Sequence, residues 1–157
     1  MTKPCVSAYI DYFERLQPTS LEELSRFFAA SARFTDPFND AHGVDAIRRV
    51  FEHMFATCEN PVFRVDESVG DGPVVYLRWR FDFGPAQRRG VIHGVSRVRF
   101  DAQGLVAEHI DYWDPSAQVY ERIPLLGALL RRLRHKLSAD GHQARPPSIN
   151  RSETNTR

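Results

Sequence analysis

The sequence predicts an α+β fold in which three N-terminal helices pack on an antiparallel β-sheet. The evidence is a change of hydrophobic period along the chain. Through Phe55 the apolar residues recur at helical spacing, as in Tyr9, Phe13 and Leu16. From Pro61 onward the period is two, and glycine-containing turns separate the alternating segments. Helices that precede a run of strands usually cover one face of the sheet that the strands form.

The three predicted helices are separated by turn residues. After a Gln-Pro pair ends the first helix, Ser20 begins the second, with Glu23 three residues later in the pattern of a capping box. This helix carries the apolar positions Leu21, Leu24, Phe27 and Phe28. A short extended segment follows over 33–36, and Gly43 precedes a third helix with a wide apolar stripe.

The predicted strands alternate clearly. A first strand ends at the turn Gly70-Asp71-Gly72-Pro73. The next places on one face Val75, Leu77, Trp79, Phe81 and Phe83, and the third places there Ile92, Gly94, Ser96, Val98 and Phe100. A last strand lies within 105–114. We expect a meander with one face under the helices.

The C-terminal part of the sequence differs from the rest. A basic amphipathic helix is predicted over 117–138, with Leu126, Leu130, Leu133 and Leu137 on one side. Its leucines need an apolar partner. Packing on the protein, as a lid or dimer element, is favoured over contact with a membrane surface. Residues 1–138 are expected to form a single domain, and the polar segment 139–157 is expected to be disordered.

Composition excludes several functional classes. A length of 157 residues fits one domain, and a formal net charge of +1 gives no general attraction to nucleic acid or membranes. Cys5 and Cys58 have neither metal-ligand spacing nor a disulfide framework and are expected to be free thiols. No compact metal-binding pattern is present. The N-terminus lacks the apolar core of a signal peptide, so a cytoplasmic location is expected.

Three helices followed by a curved meander would form a cone that encloses a pocket. Over roughly Ser7 to Asp114 the sequence resembles the nuclear transport factor 2-like superfamily, in its ketosteroid isomerase and SnoaL-like polyketide cyclase branches. The resemblance is carried by Tyr12 and by the segments LEELSRFFAASARFTDPF, GVDAIRRVF and GLVAEHIDYWD. It implies a cone-shaped fold, a homodimer formed through the sheet, and a cofactor-independent reaction.

The resemblance also implies roles for individual residues. Aligned without gaps, Asp36 falls on the aspartate that takes a proton beside a carbonyl, and Tyr12 on the tyrosine that donates to the enolate oxygen. Ser96 occupies the strand position at which the isomerases carry a protonated acid. Asp36 precedes a proline, so its position is also typical of an ordinary turn.

The last strand adds two ionisable candidates. The resemblance places His109, Asp111 and Trp113 on the concave face, where His109 would hold Asp111 against a polar ligand. The alternative is a buried hydrogen-bonded pair, or a register that turns inward Val106, Ile110 and Tyr112. The alternation of this strand is too mixed to decide. The predicted pocket walls are Leu77, Trp79, Phe81, Trp113 and Phe38.

The expected function is therefore an isomerase-like or cyclase-like enzyme that acts on an apolar, carbonyl-containing molecule. The alternatives are a protein that binds a small or lipid-like ligand without catalysis, and a module that binds a partner through its sheet face. Fold alone does not decide among them.

Overall fold

The computed structural model describes residues 3–118 and 132–133. Its helices are α1 (Lys3–Glu14), a 3₁₀ helix (Pro18–Arg26), α2 (Val44–Thr57) and α3 (Pro115–Gln118). Its strands are β1 (Phe28–Thr35), β2 (Asp40–His42), β3 (Val62–Val69), β4 (Val74–Phe83), β5 (Gly90–Phe100) and β6 (Val106–Tyr112). The predicted α+β class, with three helices and a curved sheet, is confirmed.

The six strands form one sheet in the order β2-β1-β6-β5-β4-β3. All neighbouring pairs are antiparallel except β1 and β6, which run parallel. The predicted antiparallel meander corresponds to β3, β4, β5 and β6, and the parallel pairing of β1 with β6 is an addition that the sequence did not predict. A strand inserted between the helices meets the last strand of the meander, and this pairing of distant segments cannot be read from local alternation.

The second predicted helix is shorter than expected and begins earlier. It is a 3₁₀ helix that ends at Arg26, and Phe28 already pairs with Val106 of β6. Ser20 is not the residue that caps it. Its hydroxyl accepts a hydrogen bond from the Gln17 N–H and donates one to the Gln17 carbonyl. Sheet pairing thus outweighs the helical pattern of the Phe27-Phe28 segment.

The alternation predicted for β4 and β5 is confirmed. The residues that alternate onto the face under the helices are buried, and they include Val75, Leu77, Trp79, Phe81, Ile92, Ser96, Val98 and Phe100. On the outer face, Val95 lies opposite Tyr112, and both side chains are exposed. The homodimer contact predicted for this outer face stays a prediction.

A β-bulge in β6 explains the mixed alternation of that strand. Arg99 pairs with Glu108 while Phe100 pairs with Val106, so Ala107 is left without a partner on β5. The extra residue allows Val106 and His109 both to be buried, although three positions separate them. Tyr112 is exposed. The strand therefore buries Val106, as in one of the two predicted registers, and His109, as in the other.

Aromatic side chains fill the space between the helices and the sheet. Phe13 of α1 contacts Phe51 of α2 and Phe63 of β3, with ring centroids 5.6 and 5.5 Å apart. Phe34 of β1 lies 5.3 Å from Phe51. These contacts hold α1 and α2 on the same face of the sheet.

The chain divides into two compact units, Met1–Gln118 and Val119–Arg157. Every element named above lies in the first unit. The helix predicted over 117–138 and the tail predicted over 139–157 lie outside the described residues, apart from 117–118 and 132–133, and the domain end at 138 stays a prediction. Within the described part of the chain, no helix is long and apolar enough to cross a membrane. Cys5 and Cys58 are free thiols.

The turn between β3 and β4 gives a test of the fold. Gly70 has a φ of +143°, and a Cβ added there would lie 2.5 Å from the Val74 carbonyl oxygen. Gly70→Ala should therefore lower the free energy of unfolding by roughly 1–3 kcal/mol. In a chain of this size that corresponds to about 2–4 °C in Tm per kcal/mol.

Gly72→Ala is the matched control in the same turn. A Cβ at Gly72 would meet nothing within 4 Å, so its Tm should stay close to that of the wild type. Calorimetry on the three proteins decides, and equal Tm values for the two variants would contradict the described turn.

Candidate functional site

Five side chains from four elements form a continuous hydrogen-bonded series on the face of the sheet under the helices. The Tyr9 hydroxyl of α1 lies 2.7 Å from Nδ1 of His109, whose Nε2 lies 2.7 Å from Oδ1 of Asp111. Ser96 of β5 donates to the same Oδ1 at 2.5 Å. The indole N–H of Trp79 on β4 donates to the Ser96 hydroxyl at 2.7 Å. We call these five residues the inner network.

The strand register places the two central members of the inner network side by side. Ser96 is paired directly with Asp111 across β5 and β6. Trp79 is paired with Gly94 on β5. A Cβ at Gly94 would lie 2.3 Å from Cζ2 of the indole, so only glycine leaves room for the ring. The ring lies over β5 and its N–H reaches Ser96.

His109 is held between aromatic rings and is almost completely buried. Phe13 stacks on the imidazole at 5.4 Å with an interplanar angle of 19°, and Phe34 lies 4.9 Å away. Tyr9 and Phe13 are four residues apart on α1, and this spacing puts both side chains on one side of the helix. α1 therefore supplies both the ring that covers His109 and a hydroxyl that bonds to it.

Among the described residues, the hydrogen bonds of Asp111 use only one of its two carboxylate oxygens. Both of its hydrogen bonds are made by Oδ1, and no described residue donates to Oδ2. Its side chain is 12% exposed. The direction of one of these bonds follows from chemistry: an indole N–H can only donate, so the Ser96 oxygen accepts from Trp79 and its own hydrogen is directed to Asp111.

Burial and the charge of Asp111 raise the pKa of Tyr9 well above its ordinary value. Tyr9 is 1% exposed, and its raised pKa keeps the phenol protonated at neutral pH. Tyr9 was not among the sequence candidates because it belongs to the apolar stripe of α1, where an aromatic residue indicates core. Its spacing from Phe13 was the available signal, but only the structure shows what its hydroxyl contacts.

Asp36 lies directly after β1 and is partly buried. Its Oδ1 accepts hydrogen bonds from the backbone N–H groups of Phe38 and Asn39, both at 2.7 Å. The Asn39 amide donates to both oxygens. These are the bonds of an Asx turn. Thr35 of β1 pairs with Ile110 of β6, and Asp36 and Asp111 are the next residues along these two parallel segments. Among the described residues, no hydrogen bond joins Asp36 to the inner network.

Tyr12 is separate from the inner network as well. Its hydroxyl donates to the Ser20 carbonyl at 2.9 Å, and its ring stacks on Phe27 at 4.2 Å. Burial raises its pKa to about 12. In the described structure the tyrosine one turn earlier, Tyr9, bonds to His109. The roles predicted for Asp36 and Tyr12 stay predictions.

The predicted pocket walls fall into two groups. Leu77, Trp79 and Phe81 are buried on the inner face. Phe38 and Trp113 contact each other with ring centroids 5.5 Å apart, and Phe38 is exposed. A ligand contact at either group stays a prediction. Residues 3–118 and 132–133 contain no group of three or more metal-ligating side chains.

Comparison with known proteins identifies the family. The sequence profile of the SnoaL-like domain matches residues 9–109. The chain belongs to the SnoaL-like domain family. A comparison of this chain with curated proteins found no match.

Several solved structures share its fold. A Burkholderia pseudomallei protein of unknown function, described as nuclear transport factor 2-like, superposes with a TM-score of 0.64 at 17% identity, over 75% of this chain and 94% of its own. A candidate SnoaL-like polyketide cyclase from Shewanella putrefaciens gives 0.61 at 19%, over 75% and 95%. A Catenulispora acidiphila protein with a ketosteroid isomerase-like fold, in complex with trimethylamine, gives 0.61 at 17%, over 73% and 88%. At these identities the likeness shows the fold alone.

Gly94 provides a test of the inner network. Gly94→Ala should displace the Trp79 ring and break its bond to Ser96, which would shift the NMR resonance of the indole N–H. A Trp113→Phe background leaves Trp79 as the only indole, because the chain has two tryptophans. Gly90→Ala is the matched control on the same strand, since its Cβ would lie 2.6 Å from the Phe83 ring, outside the network.

Both glycine variants should lose about 1–3 kcal/mol of stability from overpacking. Only Gly94→Ala should move the Trp79 resonance. Ser96→Ala removes the acceptor without displacing the ring and should move the same resonance. An unchanged resonance in Ser96→Ala would show that the indole N–H does not donate to Ser96.

The environment of Tyr12 predicts a pH dependence of stability. Its pKa rises from 10.0 to about 12 on folding, so the stabilisation is complete below pH 10 and is lost as pH rises through about 12. Tyr12→Phe keeps the stacked ring and removes the ionisable group. The wild type should therefore lose unfolding free energy relative to the variant between pH 10 and 12. Denaturant titrations measure it, and a constant difference would contradict this environment.

Proposed function

We propose that this SnoaL-like domain catalyses a cofactor-independent proton transfer on an apolar, carbonyl-containing small molecule, the reaction class of ketosteroid isomerases and polyketide cyclases. One observation carries the proposal. Asp111 lies on the inner side of the sheet with Oδ1 held by two hydrogen bonds, while no described residue donates to Oδ2.

The proposed step begins with Oδ2 of Asp111. It takes a proton from the carbon beside the carbonyl, and the electron pair of the broken C–H bond moves toward the carbonyl oxygen to form an enolate. In an isomerisation, Asp111 returns the proton to a different carbon. In a cyclisation, the enolate carbon attacks a second carbonyl of the same molecule, and the new alkoxide takes the proton back from Asp111.

The surroundings of Asp111 support this chemistry. Phe13, Phe34 and Trp79 make the inner face apolar, and electrostatic interactions are stronger in such surroundings than in water. Ser96 and His109 orient the carboxylate and leave one oxygen for substrate. The fold is also that of a candidate SnoaL-like polyketide cyclase from Shewanella putrefaciens.

A binding protein without catalysis is the second candidate. It is favoured by the internal bonds of the two residues that the family resemblance points to. The Asp36 carboxylate is bonded to its own turn, and the Tyr12 hydroxyl to the Ser20 carbonyl. Neither group is hydrogen-bonded to the inner network among the described residues, which suits a domain that uses the fold for binding alone.

Exchange of substrate hydrogen for deuterium separates these possibilities. Apolar 1,3-diketones and β,γ-unsaturated ketones are incubated with enzyme in D2O, and loss of the proton beside the carbonyl is followed by NMR. Asp111→Asn keeps the size of the side chain and removes the base. It should slow exchange by at least about 10²-fold, since a general base contributes roughly 10²–10⁴-fold.

Asp36→Asn is the matched control. If Asp111 is the base, this variant should stay within about tenfold of the wild type in exchange rate. A large loss in Asp36→Asn with none in Asp111→Asn would move the base to Asp36. If the wild type binds these ketones and catalyses no exchange on any of them, the binding alternative replaces the enzyme proposal.

A further inference from the structure

The Tyr9 hydroxyl has a single hydrogen-bonding partner. Its ring is packed among Phe13, Phe28 and Phe100, with centroids 5.1, 5.6 and 6.0 Å away. The hydroxyl lies 2.7 Å from Nδ1 of His109, and the described residues offer it no other bond. A buried phenol that loses its only acceptor is left with an unsatisfied donor, which is unfavourable.

The hydrogens of the inner network can be counted from its two ends. At one end, the indole N–H of Trp79 can only donate, so the Ser96 oxygen accepts that bond and the Ser96 hydroxyl donates its own hydrogen bond to Asp111. At the other end, the phenol hydrogen of Tyr9 needs Nδ1 as its acceptor. Nδ1 can accept only when it carries no hydrogen, and the hydrogen of a neutral imidazole is then on Nε2. Nε2 in turn faces Oδ1 of Asp111 and donates to it.

The two other states of His109 fail this count. With the hydrogen on Nδ1, two lone pairs would face each other between Nε2 and Asp111 at 2.7 Å, and the Tyr9 hydrogen would have no acceptor. With both nitrogens protonated, Asp111 is satisfied but the Tyr9 donor is again orphaned. Only the neutral form with hydrogen on Nε2 satisfies every donor.

We infer that Tyr9 is a positioning residue that holds His109 in the neutral tautomer with hydrogen on Nε2, and thereby keeps His109 a donor to Asp111. The raised pKa of Tyr9 agrees with this role, because the phenol remains a donor. The catalytic consequence rests on the proposed function: with Oδ1 saturated by His109 and Ser96, proton transfer is confined to Oδ2. The tautomer itself does not depend on any turnover.

Nitrogen NMR tests the inference directly. In protein labelled with ¹⁵N-histidine at pH 7, two-bond correlations to the ring protons distinguish a protonated ring nitrogen from an unprotonated one. A His109→Gln variant assigns the signals among the six histidines. We expect Nε2 of His109 to be protonated and Nδ1 to be unprotonated. A proton on Nδ1 in the wild type, with or without one on Nε2, would overturn the inference.

Tyr9→Phe keeps the packed ring and removes the hydroxyl. The population of the Nε2-protonated neutral form should fall from essentially complete to a mixture with the other states. Tyr12→Phe is the matched control, because it removes a buried phenol from the same helix that bonds to Ser20. It should leave the His109 spectrum unchanged. An unchanged spectrum in folded Tyr9→Phe would also overturn the inference, and if this variant does not fold the wild-type spectrum decides.

The two proposals fail in different ways. If Tyr9→Phe changes the tautomer while Asp111→Asn leaves deuterium exchange unaffected, the positioning role stands and the proposed catalytic base is wrong. If Asp111→Asn abolishes exchange while the wild-type His109 carries its hydrogen on Nδ1, the base stands and the role of Tyr9 is wrong.

Discussion

A carboxylate on the buried face of the sheet is the constraint on which the site depends. An ionised group in an apolar interior is strongly unfavourable unless hydrogen bonds compensate its lost hydration. For Asp111 the compensation comes from Ser96 on the adjacent strand and from His109 on the same strand. A slip of one residue between β5 and β6 would turn Ser96 to the outer face and leave Asp111 with one partner fewer. Strand register and site chemistry are therefore set together.

Two local irregularities make this arrangement compatible with a filled core. The bulge at Ala107 lets Val106 pack in the interior while His109 and Asp111 face the same side. The missing side chain of Gly94 leaves room for the Trp79 indole over β5, where its N–H reaches Ser96. Regular alternation and a bulkier residue at position 94 would each interrupt the series of hydrogen bonds. Bulges and strand glycines commonly mark such sites.

Much of the fold could be predicted from the sequence, because burial of one sheet face imposes a period of two. This period identified β4, β5 and the inward position of Ser96 correctly. The parallel β1 strand could not be predicted, since Phe27-Phe28 continues a helical pattern and its pairing partner, Val106, is far away in sequence. Tyr9 was also missed. A periodic pattern shows which face of a helix is buried, but it does not show which hydroxyl finds a polar partner there.

Neutron diffraction from a deuterium-exchanged crystal near pH 7 would locate the hydrogens of the inner network. We expect deuterium on the Ser96 hydroxyl directed at Asp111, on Nε2 of His109 and on the Tyr9 hydroxyl, with none on either oxygen of Asp111. Deuterium on an Asp111 oxygen, or on Nδ1 of His109, would contradict an ionised carboxylate that is held by two donors and presents its second oxygen as a base.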